Sequence, residues 1–510
     1  MKRPRAILLA AENAAVPGLR RTSLGDTVCN LAAALAGEGW DATVVTPGYG
    51  LYEATEKSAD ATTLSVRFAG VDHAVSAFSP NVASSAAQNV VLEHPAFSPQ
   101  GPGQVYCHDR PDRPFAIDAT KFAFFAACAA AYIDTQRDTP DVVHAFDWQA
   151  ALYFAVREFD PRYLALKGVR SVFTIHSIAV QGRRPLGLDD SSLRSWFSDL
   201  AIPRRAVVDP LYAECVNPVA TALRLADAIC VPSARFAKDL RRKGTQGLET
   251  VFAQVERDGR LVAIGVGGTP RKNPVRRPAW RKVRQTIEQT NRAWIAGSRH
   301  LRSTHYLAER HIDTLGTAKP RVLATLLGPF NDTQTALLAA PHGAAGSVLD
   351  ALLATLQGGE RLVAAGDSDA HSDAFLTAVA ARQPRFLYLA GDSDVLAREL
   401  INLCDFHVLA PHSAPNAARA LVALNAGRPC LVHDTGALHD IVQHDRNGWR
   451  VAGGAAFGRN LVTAFAHACA TRRAGGENYT RLTRAAARTG PNWRDVALTH
   501  IKLLYRGVAA

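Results

Sequence analysis

Residues 6–11 read AILLAA, residues 18–28 read GLRRTSLGDTV, and from Val28 the chain continues VCNLAAALAGEGW to Trp40. Six apolar residues are too few for a helix but suit a buried strand. The stretch after the loop keeps apolar residues at helical spacing. A strand, a loop and a helix in this order open an α/β unit, and the loop between them is where such units hold anions, usually on glycines that let the backbone approach. Here Arg20, Arg21, Thr22 and Ser23 fill that place. Two arginines attract an anion, whereas side chains at the two following positions oppose a tight backbone cradle.

The same alternation runs outward from this unit. Strand-like ATVVTP (42–47), DVVHA (141–145), SVFTI (171–175) and DAICVPS (227–233) alternate with the helical patterns DATKFAFFAACAAAYI (118–133), WQAALYFAVREF (148–159) and ARFAKDLRRK (234–243). Short β-branched runs between amphipathic helices imply a mostly parallel sheet covered on both faces. The pattern weakens between about 250 and 318, where GVGGTPRKNPVRRP (265–278) is dense in Gly, Pro and Arg and reads as a linker. A second alternation follows through RVLATLL (321–327), RLVAAG (361–366), RFLYLAG (385–391), FHVLAP (406–411) and PCLVH (429–433). The chain ends in an amphipathic helical stretch, NWRDVALTHIKLLYRG (492–507). The expected organisation is a Rossmann-like domain over 1–265, a linker over 266–318, a second Rossmann-like domain over 319–488, and a terminal helix over 489–510 that returns to the first domain. Two doubly wound domains that face each other place a cleft between the carboxyl ends of their strands.

A chain of 510 residues is too long for one hydrophobic core. The net charge of +12 comes from arginines dispersed along the chain, with one dense run at 270–285 (PRKNPVRRPAWRKVRQ). A dispersed excess reads as a solvated surface, and no aromatic-interleaved basic motif points to nucleic acid. The eight cysteines form no CxxC pair and several sit in apolar runs, as in ADAICVPS (226–233), which fits a reducing, cytoplasmic setting. No uninterrupted apolar stretch reaches bilayer length, so no membrane association is expected. The histidines lack ligand spacing, so neither a metal nor a cofactor is expected.

PDVVHAFDWQAAL (140–152) resembles the PDVVHAHDWHTAL of the bacterial glycogen synthase and plant starch synthase family, and VFTIHSIAVQGRRP (172–185) resembles its VFTIHNLAYQGxFP. KFAFFAACA (121–129), LADAICVPSARFAKDL (225–240), GLETV (247–251), RLVAAGDSD (361–369), DTGALHDIV (434–442) and the terminal stretch follow in the family's order and spacing. The resemblance covers nearly the whole chain and implies a GT-B retaining glycosyltransferase: α/β, with two facing Rossmann-like doubly wound domains. The implied reaction transfers glucose from ADP-glucose to an α-1,4-glucan, with an oxocarbenium-like glucosyl centre and a departing diphosphate. Such a site needs groups that fix the sugar and cations or N–H groups on the phosphates.

The resemblance implies a sugar contact at His176 and substrate-binding positions at Arg20, Arg21, Asp26, Asp147, Trp148, Gln149, Ser177, Gln181, Thr435 and Gly436. Gln149 stands at a family histidine and Ser177 at a family asparagine. Aligning LGD at 24–26 sets Arg20 at the family's lysine, Arg21 at its threonine, and Thr22 and Ser23 at its two glycines. The phosphate side departs from the family. In LLGPFNDTQ (326–334), Gly328 stands at an arginine and Thr333 at a lysine; in PHSAPNAAR (411–419), Ala414 stands at a glutamate; in NPVA (217–220), Ala220 stands at a further lysine. His407, His412, His433 and Arg419 sit on or beside the same strand ends. Two functions from different classes follow: a glucan synthase with altered donor contacts, or a non-catalytic family member that binds glucan, nucleotide or a protein partner as a regulatory subunit.

Overall fold

The computed structural model describes residues 2–19, 22–52, 61–80, 82, 85–107, 109–110, 112–241, 246–297, 323–328, 330, 332–366, 368–391, 394–409 and 417–506. Arg20, Arg21, His412 and Ala414 lie outside the described residues.

The chain divides into two compact units, Met1–Gly267 with Asn492–Ala510, and Gly268–Pro491. In the first, β1 (Arg5–Leu9), β2 (Asp41–Pro47), β3 (Thr62–Phe68), β4 (Val71–Phe78), β5 (Gln88–Glu93), β6 (Val142–Phe146) and β7 (Arg170–Thr174) join one sheet. A ribbon of β8 (Arg184–Pro185) and β9 (Cys215–Val216) stands apart, and β10 (Ala228–Val231) and β11 (Leu261–Ala263) complete the sheet. Its order is β11-β10-β7-β6-β1-β2-β5-β4-β3. All pairs are parallel except β3 with β4 and β4 with β5. Along β1, Ile7 and Leu9 enter one core cluster and Ala6, Leu8 and Ala10 the other, so both faces are buried and the run reads as continuously apolar.

The helix Ala116–Asp134 lies at the centre of this core. By length and composition it is apolar enough to cross a membrane, yet 89% of its best window is buried inside the unit. It buries Lys121 completely. Nζ pairs with Asp118 at 2.7 Å, one turn back, and donates to the Val105 carbonyl at 2.6 Å. The terminal helix Trp493–His500 and the turn Ile501–Tyr505 belong to this unit. Val496, Ala497, Ile501, Leu504 and Tyr505 pack with β1 and Trp40, and Tyr505 Oη bonds His144 Nδ1 at 2.9 Å.

The second unit holds β12 (Leu323–Leu327), β13 (Arg361–Gly366), β14 (Phe386–Ala390), β15 (Phe406–Val408), β16 (Cys430–His433) and β17 (Gly448–Val451), all parallel, in the order β14-β13-β12-β15-β16-β17. The first five of these strands fall on runs read from sequence, and β17 was not read. The expected linker differs. Its Gly- and Pro-rich part ends at Pro278, and the helix Trp280–Gly297 follows, with Trp280, Val283 and Ile287 at helical spacing inside the second unit's core. Its basic run is partly neutralised: Arg277 pairs with Asp405, Lys282 with Glu399 and Arg284 with Glu288. Residues 298–322 lie outside the described residues.

Candidate functional site

In the first sheet β1 and β6 are neighbours, while β2 lies beyond one and β7 beyond the other. The chain therefore leaves the carboxyl ends of β1 and β6 in opposite directions, which opens a crevice where open α/β sheets bind ligands. At the end of β6, Asp147 takes φ +55°, a left-handed conformation that Asp tolerates better than most residues. This turn swings its carboxylate across to the end of β7. Oδ1 accepts the backbone N–H of His176 at 2.7 Å and Oδ2 accepts from His176 Nδ1 at 2.9 Å. Because an ionised carboxylate only accepts, Nδ1 holds the proton and Nε2 is the ring atom left for a ligand. The Phe146 ring runs nearly parallel to the imidazole, at 11° and 6.2 Å. The His176 side chain remains 23% exposed, so this fixed ring is reachable.

A second group of side chains joins the two strand ends. Glu12, buried in the loop after β1, accepts the Thr22 N–H at 2.6 Å, the Thr22 hydroxyl at 2.9 Å and the Tyr106 hydroxyl at 2.6 Å. Gln149 Nε2, from the turn after β6, donates to Tyr106 Oη at 3.2 Å. Gln149 Oε1 is buried without a hydrogen-bond partner among the described residues, an acceptor that a hydroxyl-rich ligand would satisfy. Burial, then the Glu12 carboxylate, hold the Tyr106 hydroxyl well above the usual phenol range, so it stays a donor. Trp148 supports this turn from behind, edge-on to Phe122 at 5.2 Å and against Gly182, where a Cβ would lie 2.2 Å from the indole. Sequence reasoning missed Glu12 and Tyr106. The available signal was a carboxylate directly after the apolar run of β1.

The other expected residues separate by role. Asp26 lies in the first turn of the helix Ser23–Gly37. Thr22 caps that helix with extended backbone (φ −131°), its hydroxyl accepting the Leu24 N–H at 3.2 Å, so no glycine is required there. Ser177 Oγ accepts the Ala179 N–H at 3.2 Å. Gln181 departs from the expected substrate contact because both ends of its amide are used within the protein. Oε1 accepts from Asn217 and Arg183 at 2.6 and 2.9 Å, and Nε2 donates to Ile178 and Gln246. It holds the loop after His176 in place.

Residues 6–254 match a family model described as the starch synthase catalytic domain. Over those residues, just under half of its length, the chain is similar to the starch and glycogen synthase family. Among its relatives, the glycogen synthase of Opitutus terrae is 28% identical over 236 residues, 44% of this chain and 45% of that protein. The glycogen synthase of Treponema denticola is 31% identical over 169 residues, 33% of each chain, and that of Streptococcus equi subsp. equi 26% over 330 residues, 64% of each. The matches thus span between a third and just under two thirds of these relatives' length. The catalytic domain of Arabidopsis thaliana starch synthase IV, solved with ADP and acarbose, superposes with a TM-score of 0.74 at 19% identity over 99% of both chains. Sucrose-phosphate synthase from Thermosynechococcus elongatus gives 0.57 at 16% identity, over 99% of this chain and 98% of that one. The likeness establishes the GT-B fold.

In this starch and glycogen synthase relative, the second unit positions the remaining expected residues as follows. Gly328 directly follows β12, buried, its N–H donating to the Ala365 carbonyl at 2.8 Å. Thr333 is exposed on the first turn of the helix Asp332–Ala339. Thr435 precedes and Gly436 opens the helix Gly436–Ile441, with Gly436 at φ +48°. Ala220 is fully buried, where a lysine side chain would have to displace core. No group of three or more His, Cys, Asp or Glu that could hold a metal occurs among the described residues.

Proposed function

We propose that the protein holds a glucosyl unit at the carboxyl ends of β6 and β7 and carries out the family's transfer of glucose from ADP-glucose to an α-1,4-glucan in attenuated form. The Asp147–His176 pair carries this reading. A histidine held by one carboxylate at both its backbone N–H and its Nδ1 presents Nε2 in one orientation, which is what positioning a sugar hydroxyl requires. The buried Gln149 Oε1 adds an acceptor on the same turn.

Attenuation follows from the expected phosphate-side positions. Each preorganised charge-stabilising group is worth ~10²–10³ in rate, and Gly328 and Thr333 bring no charge to theirs. The same absence favours the second reading, a non-catalytic glucan-binding or regulatory subunit. We place either role in the cytoplasm, since all eight cysteines are free thiols.

The deciding experiment incubates the full chain with radiolabelled ADP-glucose, then UDP-glucose, and a glycogen primer. Slow incorporation that disappears in His176→Ala supports transfer. No incorporation from either donor, with maltoheptaose still bound, leaves the subunit role. Absence of both incorporation and maltoheptaose binding removes the sugar-site reading altogether.

A further inference from the structure

The last turn of the first unit is wound wider than the helix it continues. Arg506 N–H donates to the Ile501 carbonyl at 3.1 Å, five residues back, so Ile501–Tyr505 is a π turn, a rare form that recurs at functional sites. This turn is held against the first sheet on two sides. Arg170 Nε, at the start of β7, donates to the Leu504 carbonyl at 3.0 Å, and the Trp40 ring lies 5.3 Å from that of Tyr505.

Inside the unit, the Tyr505 hydroxyl meets His144 Nδ1 at 2.9 Å, and His144 Nε2 meets Thr174 Oγ1 at 2.6 Å. Burial, then the nearby His500 and His176, hold His144 well below the ordinary imidazole range, so the ring is neutral and has one N–H. Burial likewise keeps the Tyr505 hydroxyl protonated. Among the described residues that hydroxyl has no other hydrogen-bond partner, so it donates to Nδ1, and Nε2 donates to Thr174. A buried ring tied at both nitrogens cannot turn.

The tied ring reaches the candidate site by two routes. His144 and Phe146 are two residues apart in β6 and share a face, where their rings stack at 4.2 Å and 25°. Phe146 in turn runs nearly parallel to the His176 imidazole, at 11° and 6.2 Å. Thr174 ends β7, two residues before His176. The Asp147 carboxylate holds Nδ1 of His176 at one point, about which the imidazole can still tilt. The face of Phe146 is what limits that tilt.

We propose that Tyr505 is a positioning residue of the sugar site: with Thr174 it locks His144, His144 seats Phe146, and Phe146 sets the tilt at which His176 offers Nε2. This rests on the reading of His176 as a sugar contact, and it adds the distant segment that aims the ring.

The test uses the full chain labelled with nitrogen-15 histidine, as wild type, Tyr505→Phe, Thr174→Val and Thr174→Ser. The His176→Ala spectrum assigns the His176 ring signals, and maltoheptaose is titrated by calorimetry. Tyr505→Phe removes one hydroxyl. It shifts the His176 ring nitrogens before any sugar is added and weakens maltoheptaose about 3- to 10-fold, the scale of one lost hydrogen bond. Thr174→Val does the same, and Thr174→Ser, which restores the hydroxyl, returns both readouts toward wild type. Val496→Ala removes packing from the terminal helix but no side-chain hydrogen bond, and it leaves both readouts unchanged. His176 signals that stay in place in Tyr505→Phe overturn the proposal, as does a Val496→Ala that moves them equally, because the terminal segment then acts only through its bulk. Shifted signals with unaltered maltoheptaose affinity overturn it as well. If Tyr505→Phe melts early, the two Thr174 variants decide by the same criteria. A wild type that binds no maltoheptaose removes the sugar-site reading, and shifted His176 signals in Tyr505→Phe then still support the chain of contacts from Tyr505 to His176.

Discussion

Asp147 is a residue whose backbone and side chain serve the same end. Its left-handed φ costs conformational energy in an ordinary residue, and that turn is what carries the carboxylate across to His176. The expected consequence is separable by substitution. In Asp147→Asn the amide oxygen still accepts the His176 N–H, while the amide nitrogen faces Nδ1 and favours the opposite tautomer, with the proton on Nε2. Maltoheptaose affinity, or transfer where it is measurable, is expected to fall at least ~10-fold, the scale of one charge-assisted hydrogen bond. The urea midpoint should move by no more than ~1 kcal/mol of stability. Unchanged sugar affinity in Asp147→Asn would show that the tautomer is irrelevant to binding.

Among the elements, the helix Ala116–Asp134 shows how a segment apolar enough for a bilayer is committed to a protein core. Its buried pair, Asp118 and Lys121, is satisfied by a 2.7 Å contact, by the Val105 carbonyl and by the Cys107 N–H, which donates to Asp118 at 3.0 Å. Lys121→Met leaves a carboxylate buried and unpaired, an expected loss of ~3–5 kcal/mol in urea unfolding of the first unit. The double variant Asp118→Asn/Lys121→Met removes both charges and should recover most of it, since replacing a buried pair is far milder than breaking one. A double variant as unstable as the single one would show that packing, not charge, sets the cost.

For the whole molecule, the first unit depends on its own distant terminus, since His500 and Tyr505 pack beside His144 of β6. Burial lowers the pKa of His500 to about 4 and holds His144 well below the ordinary imidazole range. Both rings are thus neutral in the fold. As pH falls below about 6.5 the unfolded chain takes up these protons first, so their contribution is whole above 6.5 and is lost progressively down to about 4. The slope is up to ~1.4 kcal/mol per pH unit for each ring. Urea midpoints of the first unit between pH 7.5 and 4.5 should show this decline, and His500→Gln should make it shallower. A variant with the wild-type slope would exclude His500 as a contributor.

The β12–β16 strands were legible in the sequence because each is a short apolar run between turn signals and helical periods, a local property that survives without the fold. The hairpin β3–β4 was not read, although residues 62–68 bury alternate positions, because half of its side chains face solvent and its hydrophobic signal is weaker. The helix Trp280–Gly297 was hidden by the Pro- and Arg-rich residues before it. At the candidate site, His176, Asp147 and Gln149 were singled out through the family resemblance of residues 140–152 and 172–185. Glu12 and Tyr106 were not, since Glu12 meets Tyr106 across 94 residues. The sequence by itself determined the two strand-and-helix alternations, because periodicity is local. Only the tertiary structure decided which strands became neighbours, and therefore that the buried Glu12 carboxylate meets Tyr106 at the first unit's switch point, because sheet order is set by long-range packing that no local pattern encodes.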